Sequence, residues 1–263
     1  MSFHPKNVGK LKLYVRKTSE DTLAFFSREI THKLKEFRDV EKRDVLFLTS
    51  GGSALSVLDL IDESVIGPYL TIGIFDERYD PTNRTSNYAQ LMKTRFYQRA
   101  VQRGCRLIDT TTGADQTKEQ LADYYEHELH DWKTHHPKGV IIATMGVAAD
   151  GHTAGIIPYP EDPKFFHKHF EGDRWIVSYD ASGKNRIPYR VTTTFTFLHR
   201  VDTVFVYMVG KEKGKMFRKL LEGDDLAELP GRIIKTLAHG GVYVDEALMS
   251  ASGISDHKKP HSS

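Results

Sequence analysis

The sequence predicts an α/β fold with a doubly wound, mostly parallel sheet, helices on both faces and small additional elements. Strand-like and helix-like segments alternate along the 263 residues, as they do when crossover helices connect parallel strands. Residues 45–49, 139–145 and 204–209 are short, continuous apolar runs. Such runs are typical of strands that are buried on both faces, as the strands of a parallel sheet are.

Apolar patterning predicts the strands one by one. Residues 11–15 alternate apolar and polar side chains, which predicts a strand with one buried face. The other predicted strands lie, in chain order, at residues 45–49, 70–75, 106–109, 139–145, 174–178, 191–196, 204–209 and 241–244.

Helices are predicted between most of these strands. Residues 18–37 have apolar side chains at helical spacing, at Leu23, Phe26, Ile30 and Leu34. A polar loop at 76–85 precedes Ser86, which can cap a helix that runs to about residue 99. The segment 158–189 is rich in charged and aromatic residues and is the hardest to assign, apart from the strand predicted at 174–178. Further helices are predicted at 54–61, 115–132 and 211–221.

Composition places the chain among globular proteins. A hydrophobic fraction of 39% and an aromatic fraction of 11% exclude an intrinsically disordered chain. Lys and Arg number 37 and Asp and Glu 35, a net charge of +2, so we expect no nucleic-acid or membrane partner. Cys105 is the one cysteine, which excludes an intramolecular disulfide and favours a cytoplasmic location. Residues 1–17 lack a signal-peptide pattern, and no apolar stretch is long enough to span a membrane.

We expect residues 1–251 to form a single α/β domain, because no linker or internal repeat divides them. The polar residues 252–263 are expected to form a C-terminal tail. In open parallel sheets, ligands bind beyond the carboxyl ends of the strands. Three loops with functional residue types each follow a predicted strand, and these loops are the candidate site.

The first loop is Ser50-Gly51-Gly52-Ser53, between a strand and a helical segment. Its glycines allow the backbone to approach a ligand closely, and the N–H groups of the next helix suit a phosphate. The alternative is a tight turn in which Ser53 is only a helix N-cap. The loop has neither the P-loop pattern nor the dinucleotide-binding pattern.

The second loop begins with Asp76-Glu77-Arg78 at the end of a predicted strand. Carboxylates beside an arginine can position a sugar and bind a phosphate, although a surface ion pair is the simpler interpretation. The same segment continues to Ser86-Asn87-Tyr88, which can be an ordinary helix cap and first turn.

The third loop, residues 146–154, carries the strongest candidate for catalysis. An imidazole can act as a general base on water near neutral pH, so His152 is the candidate base. Asp150 can orient the imidazole or bind a sugar hydroxyl. The alternative is a structural or solvated histidine.

Two basic residues near the C-terminal strands, Arg190 and Lys213, can complete a phosphate site, or each can be a surface charge. No metal site is predicted. His127 and His130 share a helix face, but they lack the HExxH spacing and a third ligand. Cys105 has no neighbouring base in the sequence and is interpreted as an inert thiol.

Together and in this order, the three loops resemble those of the family of 6-phosphogluconolactonases and glucosamine-6-phosphate deaminases. The motifs are SGGS at 50–53, DER at 76–78, SNY at 86–88 and DGHTA at 150–154. Weaker matches follow in the expected order, at Gly210, Lys213, Pro230 and Asp245-Glu246-Ala247. The resemblance extends from about Val45 to about Ala247, most of the chain.

The resemblance implies hydrolysis of 6-phospho-D-glucono-1,5-lactone to 6-phosphogluconate in the pentose phosphate pathway, without metal or organic cofactor. It implies a catalytic group of His152, Asp150 and Asp76, with His152 as the general base. The phosphorylated sugar lactone would be bound by Gly51, Gly52, Ser53, Arg78, Arg190 and Lys213. The oligomeric state, monomer or dimer, does not follow from the sequence.

Two alternatives belong to other functional classes. The first is a glucosamine-6-phosphate deaminase or isomerase. In the deaminases of the family a catalytic glutamate follows the DGH histidine by five residues, and here that residue is Ile157. DGHTA and DER also favour the lactonase branch. A non-catalytic sugar-phosphate sensor is the other alternative, although the residues before the first loop offer little for a DNA-binding module.

The sequence departs from the family pattern at several positions. These are Ala54-Leu55 after the first loop, Asp80 after the second, Ala148 in place of a glycine, and residues 155–159 after the third. The departures put the exact substrate in doubt and leave the candidate base in place.

Overall fold

The computed structural model describes residues 6–254, which contain an eight-stranded sheet and a three-stranded sheet. The strands, in chain order, are β1 (Lys6–Val8), β2 (Leu11–Arg16), β3 (Val45–Thr49), β4 (Leu70–Ile74), β5 (Asp76–Arg78), β6 (Arg106–Leu107), β7 (Val140–Met145), β8 (Ile176–Asp180), β9 (Tyr189–Thr193), β10 (Thr203–Met208) and β11 (Gly240–Asp245). The α-helices are α1 (Ser19–Lys35), α2 (Asn87–Leu91), α3 (Arg95–Gln102), α4 (Lys118–His135), α5 (Pro163–Phe170), α6 (Phe195–Leu198), α7 (Gly214–Leu221) and α8 (Glu246–Ser252).

The large sheet has the strand order β1-β2-β11-β10-β7-β3-β4-β6. All neighbouring strands are parallel except β1 and β2, which are antiparallel. The chain runs outward from β3 to β4 and β6, and then returns to the other side of β3 with β7. The direction of winding therefore reverses between β3 and β7. This confirms the predicted doubly wound, mostly parallel sheet.

Helices cover both faces of this sheet. The side chains of Val45 and Phe47 in β3 join the core cluster that contains the buried residues of α1. Leu46 and Leu48, the intervening residues, join the opposite cluster with α4, α7 and α8. A continuous apolar strand is required because both faces of β3 are excluded from water. Among the helices of residues 6–254, none has the length and apolarity that crossing a membrane requires.

Several helix predictions need correction. The predicted helix 86–99 is two helices, because the chain turns after Leu91 and Thr94 caps α3 by accepting a hydrogen bond from the Tyr97 N–H. Ser86 caps α2, as predicted. The first helix ends in a π-helical turn at Glu36–Glu41, and the predicted helix 54–61 is a 3-10 helix at Gly52–Leu60.

The prediction of a polar loop at 76–85 is wrong at its start, because Asp76–Arg78 forms β5. This strand pairs with β9, which pairs with β8, and both pairings are antiparallel. A three-residue charged strand carries too little alternation for the sequence to reveal it. The segment 158–189, the hardest to assign from the sequence, contains α5 and all of β8, which overlaps the strand predicted at 174–178.

The short elements at the chain ends and after β9 are further differences. β1, α6, α8 and the 3-10 helix Pro230–Lys235 have no counterpart in the predicted elements. The predicted strand 191–196 ends at Thr193, since Thr194 caps α6. Of the predicted tail, residues 252–254 are described and 255–263 lie outside the described residues.

A buried carboxylate joins the small sheet to the start of α2 and to the segment that follows β6. Glu77 in β5 is fully buried, and its two carboxylate oxygens accept hydrogen bonds of 2.5 to 3.2 Å. The donors are the backbone N–H groups of Arg78, Asn87 and Tyr88 and the hydroxyls of Ser86 and Thr110. Burial raises the pKa of Glu77 to about 7, although these donors favour the ionised form.

We expect Glu77→Gln to lower the free energy of unfolding by about 2–4 kcal/mol at pH 6, because an amide NH2 replaces an acceptor and leaves buried donors unsatisfied. Urea unfolding followed by circular dichroism measures this loss. The control is Glu119→Gln, on the exposed first turn of α4, with an expected change below about 0.5 kcal/mol. Equal effects of the two substitutions would contradict the role of Glu77.

The carboxyl of Glu77 also makes stability depend on pH. Its pKa in the folded protein is above its ordinary value of 4.5, so the folded state binds more protons than the unfolded state between these values. We therefore expect the stability of the wild type, relative to Glu77→Gln, to fall by roughly 2–3 kcal/mol from pH 5 to pH 8. Urea unfolding at four pH values measures this difference, and a constant or rising difference would refute it.

Candidate active site

The candidate site lies where the direction of winding reverses. The loops that follow β3 and β7, two adjacent parallel strands, separate there and leave a crevice. A cavity of about 320 Å³ occupies this crevice. It is lined by Ser50, Gly51, Gly52, Asp76, Arg78, Asn87, residues 146–148, residues 152–155, residues 185–187, Arg190, Tyr207 and Lys213.

Glycine is suited to positions 51 and 52 of the first loop for two different reasons. A Cβ on Gly51 would lie 2.2 Å from Oδ1 of Asn87, so only glycine fits at this position. Gly52 has a φ of +68°, a conformation that favours glycine, and beyond its chain neighbours no described atom lies within 4 Å of where its Cβ would be. Ser50 fixes the loop to β7 because its hydroxyl donates to the carbonyl of Thr144 at 2.8 Å. The side chain of Ser53 lies outside the described residues.

The third loop holds the imidazole of His152 against a carboxylate. Nδ1 of His152 lies 2.6 Å from Oδ1 of Asp150, and the same oxygen accepts the backbone N–H of His152 at 3.2 Å. The bond to His152 lowers the pKa of the Asp150 carboxyl. When the neutral ring carries its proton on Nδ1, the lone pair is on Nε2. His152 is half-buried at the cavity wall and can accept a proton there.

Close backbone contacts shape this loop. Gly151 has a φ of +88°, and a Cβ there would lie 2.2 Å from Leu229. Gly155 has a φ of +70°, and a Cβ there would lie 2.8 Å from the side chain of Asp76. Ala148 has no positive φ, so alanine is accommodated where the family has glycine. Its N–H donates to the carbonyl of His152 at 3.0 Å.

The small sheet contributes Asp76 and Arg190. Nη1 of Arg190 lies 3.6 Å from Oδ2 of Asp76, and both side chains are nearly buried. Asn87 donates to the same carboxylate oxygen at 3.3 Å and to the carbonyl of Asp76 at 2.8 Å. The Asp76 carboxylate is therefore held in one orientation at the cavity wall.

Two further cations line the cavity with unused donors. Nε of Arg78 is buried and has no hydrogen-bond partner within residues 6–254. Lys213, half-buried just before α7, likewise has no hydrogen-bond or ion-pair partner for Nζ in the described part of the chain. Desolvation lowers the pKa of Lys213. Such donors suit an anionic ligand.

The structure brings most of the predicted site residues to one cavity. They are Gly51, Gly52, Asp76, Arg78, His152, Arg190 and Lys213. Asp150 contacts the ring of His152 and is not itself part of the cavity lining.

Sequence reasoning missed Asn185, Arg186 and Tyr207, and it named Asn87 only in the SNY motif and in a possible helix cap, not as a site residue. Asn185 and Arg186 belong to the segment 158–189, which is the hardest to assign, and no pattern marked them. Tyr207 lies inside an apolar strand, where the prediction treated it as core.

The chemistry of the site is that of anion binding beside a base. Its lining carries three arginines and a lysine, with Asp76 as the one carboxylate among the described lining residues. Within residues 6–254 there is no group of three or more His, Cys, Asp or Glu side chains arranged to hold a metal. Ile157, at the position of the deaminase glutamate, is buried in the hydrophobic core.

The fold is similar to those of solved proteins that are named 6-phosphogluconolactonase. The protein from Shewanella baltica OS155 has a TM-score of 0.74 and 20% identity, covering 91% of this chain and 100% of that chain. The Plasmodium vivax protein has a TM-score of 0.74 and 13% identity, covering 95% and 97%. The Trypanosoma brucei protein has a TM-score of 0.71 and 17% identity, covering 97% and 100%. A comparison with curated proteins gives no match.

The sequence itself carries the family assignment. The family model described as glucosamine-6-phosphate isomerases/6-phosphogluconolactonase matches residues 17–243, a range that includes all three loops of the site. The resemblance seen in the loop motifs is thereby confirmed. The chain belongs to the glucosamine-6-phosphate isomerase/6-phosphogluconolactonase family.

Proposed function

We propose that this protein hydrolyses 6-phospho-D-glucono-1,5-lactone to 6-phosphogluconate, a step of the pentose phosphate pathway. The observation that carries the proposal is His152, held by Asp150, at the wall of a cavity whose lining includes cations without a partner among the described residues. The pair supplies a base for water, and the cations suit a phosphorylated substrate. A cytoplasmic location and the absence of a nucleic-acid partner are part of the proposal.

In the proposed reaction, Nε2 of His152 takes a proton from water as the water oxygen bonds to the lactone carbonyl carbon. The carbonyl oxygen becomes an oxyanion, which backbone N–H groups or Arg78 can stabilise. The intermediate then collapses, the bond from this carbon to the ring oxygen breaks, and the imidazolium returns its proton to the ring oxygen. Asp150 holds the ring and stabilises its charged form.

The remaining residues are proposed to hold the substrate. Asp76 binds sugar hydroxyls, since Asn87 and Arg190 fix its carboxylate at the cavity wall. The phosphate is bound by Gly51, Gly52, Ser53 and Lys213, whereas Arg78 is assigned to the oxyanion and Arg190 to the fixing of Asp76. Lys213 has the strongest support among these, because its ammonium lacks a partner within residues 6–254.

The burial of Ile157 argues against a glucosamine-6-phosphate deaminase. An apolar side chain packed in the core cannot transfer protons, and it places no carboxylate in the cavity. Release of ammonia from glucosamine 6-phosphate by the purified protein would revive that alternative. Phosphate binding without turnover of either substrate would instead favour the sensor.

We expect His152→Ala to reduce the enzymatic opening of 6-phosphogluconolactone by at least about 100-fold, because a positioned general base contributes about 10²–10⁴-fold. The lactone is generated in situ, and its loss is followed against the uncatalysed background. The matched control is His135→Ala, which removes another histidine paired with an aspartate, Asp131, but on the exposed surface of α4.

The control variant is expected to keep wild-type activity. Full activity in His152→Ala, with an unchanged circular dichroism spectrum, would exclude His152 as the base. Absence of activity in the wild type would overturn the proposed function.

We expect Lys213→Ala to raise KM for the phosphorylated lactone about 10-fold or more, since a charged hydrogen bond is worth roughly 1.5–3 kcal/mol. Hydrolysis of unphosphorylated glucono-1,5-lactone should change little. Steady-state kinetics with both substrates measures the difference. Lys215→Ala, an exposed lysine two residues away, is the control, and an equal change in both variants would argue against a phosphate role.

A further inference from the structure

We infer that Arg186 is the arginine that recognises the phosphate of the substrate and thereby selects phosphorylated lactones over unphosphorylated ones. The inference rests on the proposed function for the identity of the substrate. It does not follow from the family resemblance, which implies Arg190, four residues later, as a ligand of the substrate.

The contacts of Arg190 are directed into the protein. Its Nε donates to the carbonyl of Ile187 at 3.0 Å, and its Nη2 donates to Oδ1 of Asn185 at 3.0 Å. Its Nη1 faces Asp76 at 3.6 Å. Each nitrogen of this guanidinium therefore has a protein partner, and the charge is partly balanced by the carboxylate. These contacts leave little of Arg190 for a ligand.

Further contacts hold the loop that carries Arg186. The N–H of Ala181 donates to the carbonyl of Pro188 at 2.9 Å and closes the loop at its base. Lys184 ties one side to the neighbouring segment, with Nζ 3.1 Å from the carbonyl of Pro158 and 2.5 Å from Glu161. The loop thus stands as a rigid wall of the cavity.

Asn185 organises the tip of this loop. Its Oδ1 accepts both from Arg190 and from the N–H of Ile187, at 3.0 Å each. Arg186 lies between the two residues that these bonds fix, and all three residues line the cavity. The backbone that carries Arg186 is therefore set before a ligand arrives.

The side chain of Arg186 is free to bind. It is exposed, and it has no hydrogen-bond or ion-pair partner in the part of the chain that the structure describes. A guanidinium presents paired N–H donors that match two oxygens of a phosphate, and it keeps its charge at every physiological pH. Because the backbone of this loop is already ordered, binding costs only the conformational entropy of the Arg186 side chain, which favours phosphate recognition here.

The test compares Arg186→Gln and Arg186→Lys with the wild type on two lactones. For 6-phosphogluconolactone, Arg186→Gln is expected to raise KM roughly 10- to 100-fold with kcat within about threefold. Arg186→Lys should recover part of the loss, because lysine keeps the charge without the paired donors. For glucono-1,5-lactone the kinetic constants should not change. Arg84→Gln, an exposed arginine outside the cavity lining, controls for loss of surface charge.

Binding of 6-phosphogluconate and of inorganic phosphate, measured by calorimetry, separates this inference from the proposed function. If the wild type binds 6-phosphogluconate without hydrolysing the lactone, the function fails, and weaker binding by Arg186→Gln still supports the inference. Wild-type affinity in Arg186→Gln, or an unchanged KM in an active enzyme, overturns the inference alone. Absence of binding by the wild type overturns both.

Discussion

The parallel pairing of β3 with β7 is the constraint on which the site depends. Because the chain winds outward from β3 in one direction and from β7 in the other, the loops after these strands cannot cover each other. The glycine loop at 51–52 and the loop that carries His152 therefore face one crevice. Both strands are buried on two faces, so the position of the crevice is fixed by the core and not by the loops themselves.

A second layer of the site depends on the buried carboxylate of Glu77. By accepting five hydrogen bonds it holds β5 against the residues that begin α2, although β5 consists only of charged residues. This attachment brings Asp76 and Arg78 to the cavity from a sheet that is separate from the large one. The DER and SNY motifs thus act together. Glu77 accepts hydrogen bonds from the residues of SNY inside the protein, and Asp76 and Arg78 line the cavity.

Some departures from the family pattern have local physical reasons. Ala148 replaces a glycine where the backbone has no positive φ, so its methyl group causes no strain. Asp80 accepts hydrogen bonds from the backbone and hydroxyls of Thr82 and Thr85, which closes its own loop. These bonds lower the pKa of the Asp80 carboxyl. Ala148 lines the cavity, whereas Asp80 does not.

The sequence by itself determined the parallel sheet, the buried strands and the three loops with their candidate residues, because apolar runs and motif spacing are local properties of the chain. Only the tertiary structure decided that helix 86–99 breaks and that Asp76–Arg78 is a strand. It also decided that Arg190 is bound to protein partners, whereas Arg186 has none among the described residues. Those outcomes depend on contacts between residues far apart in the chain, such as the ion pair of Arg190 with Asp76, and the local pattern of a sequence does not specify such partners.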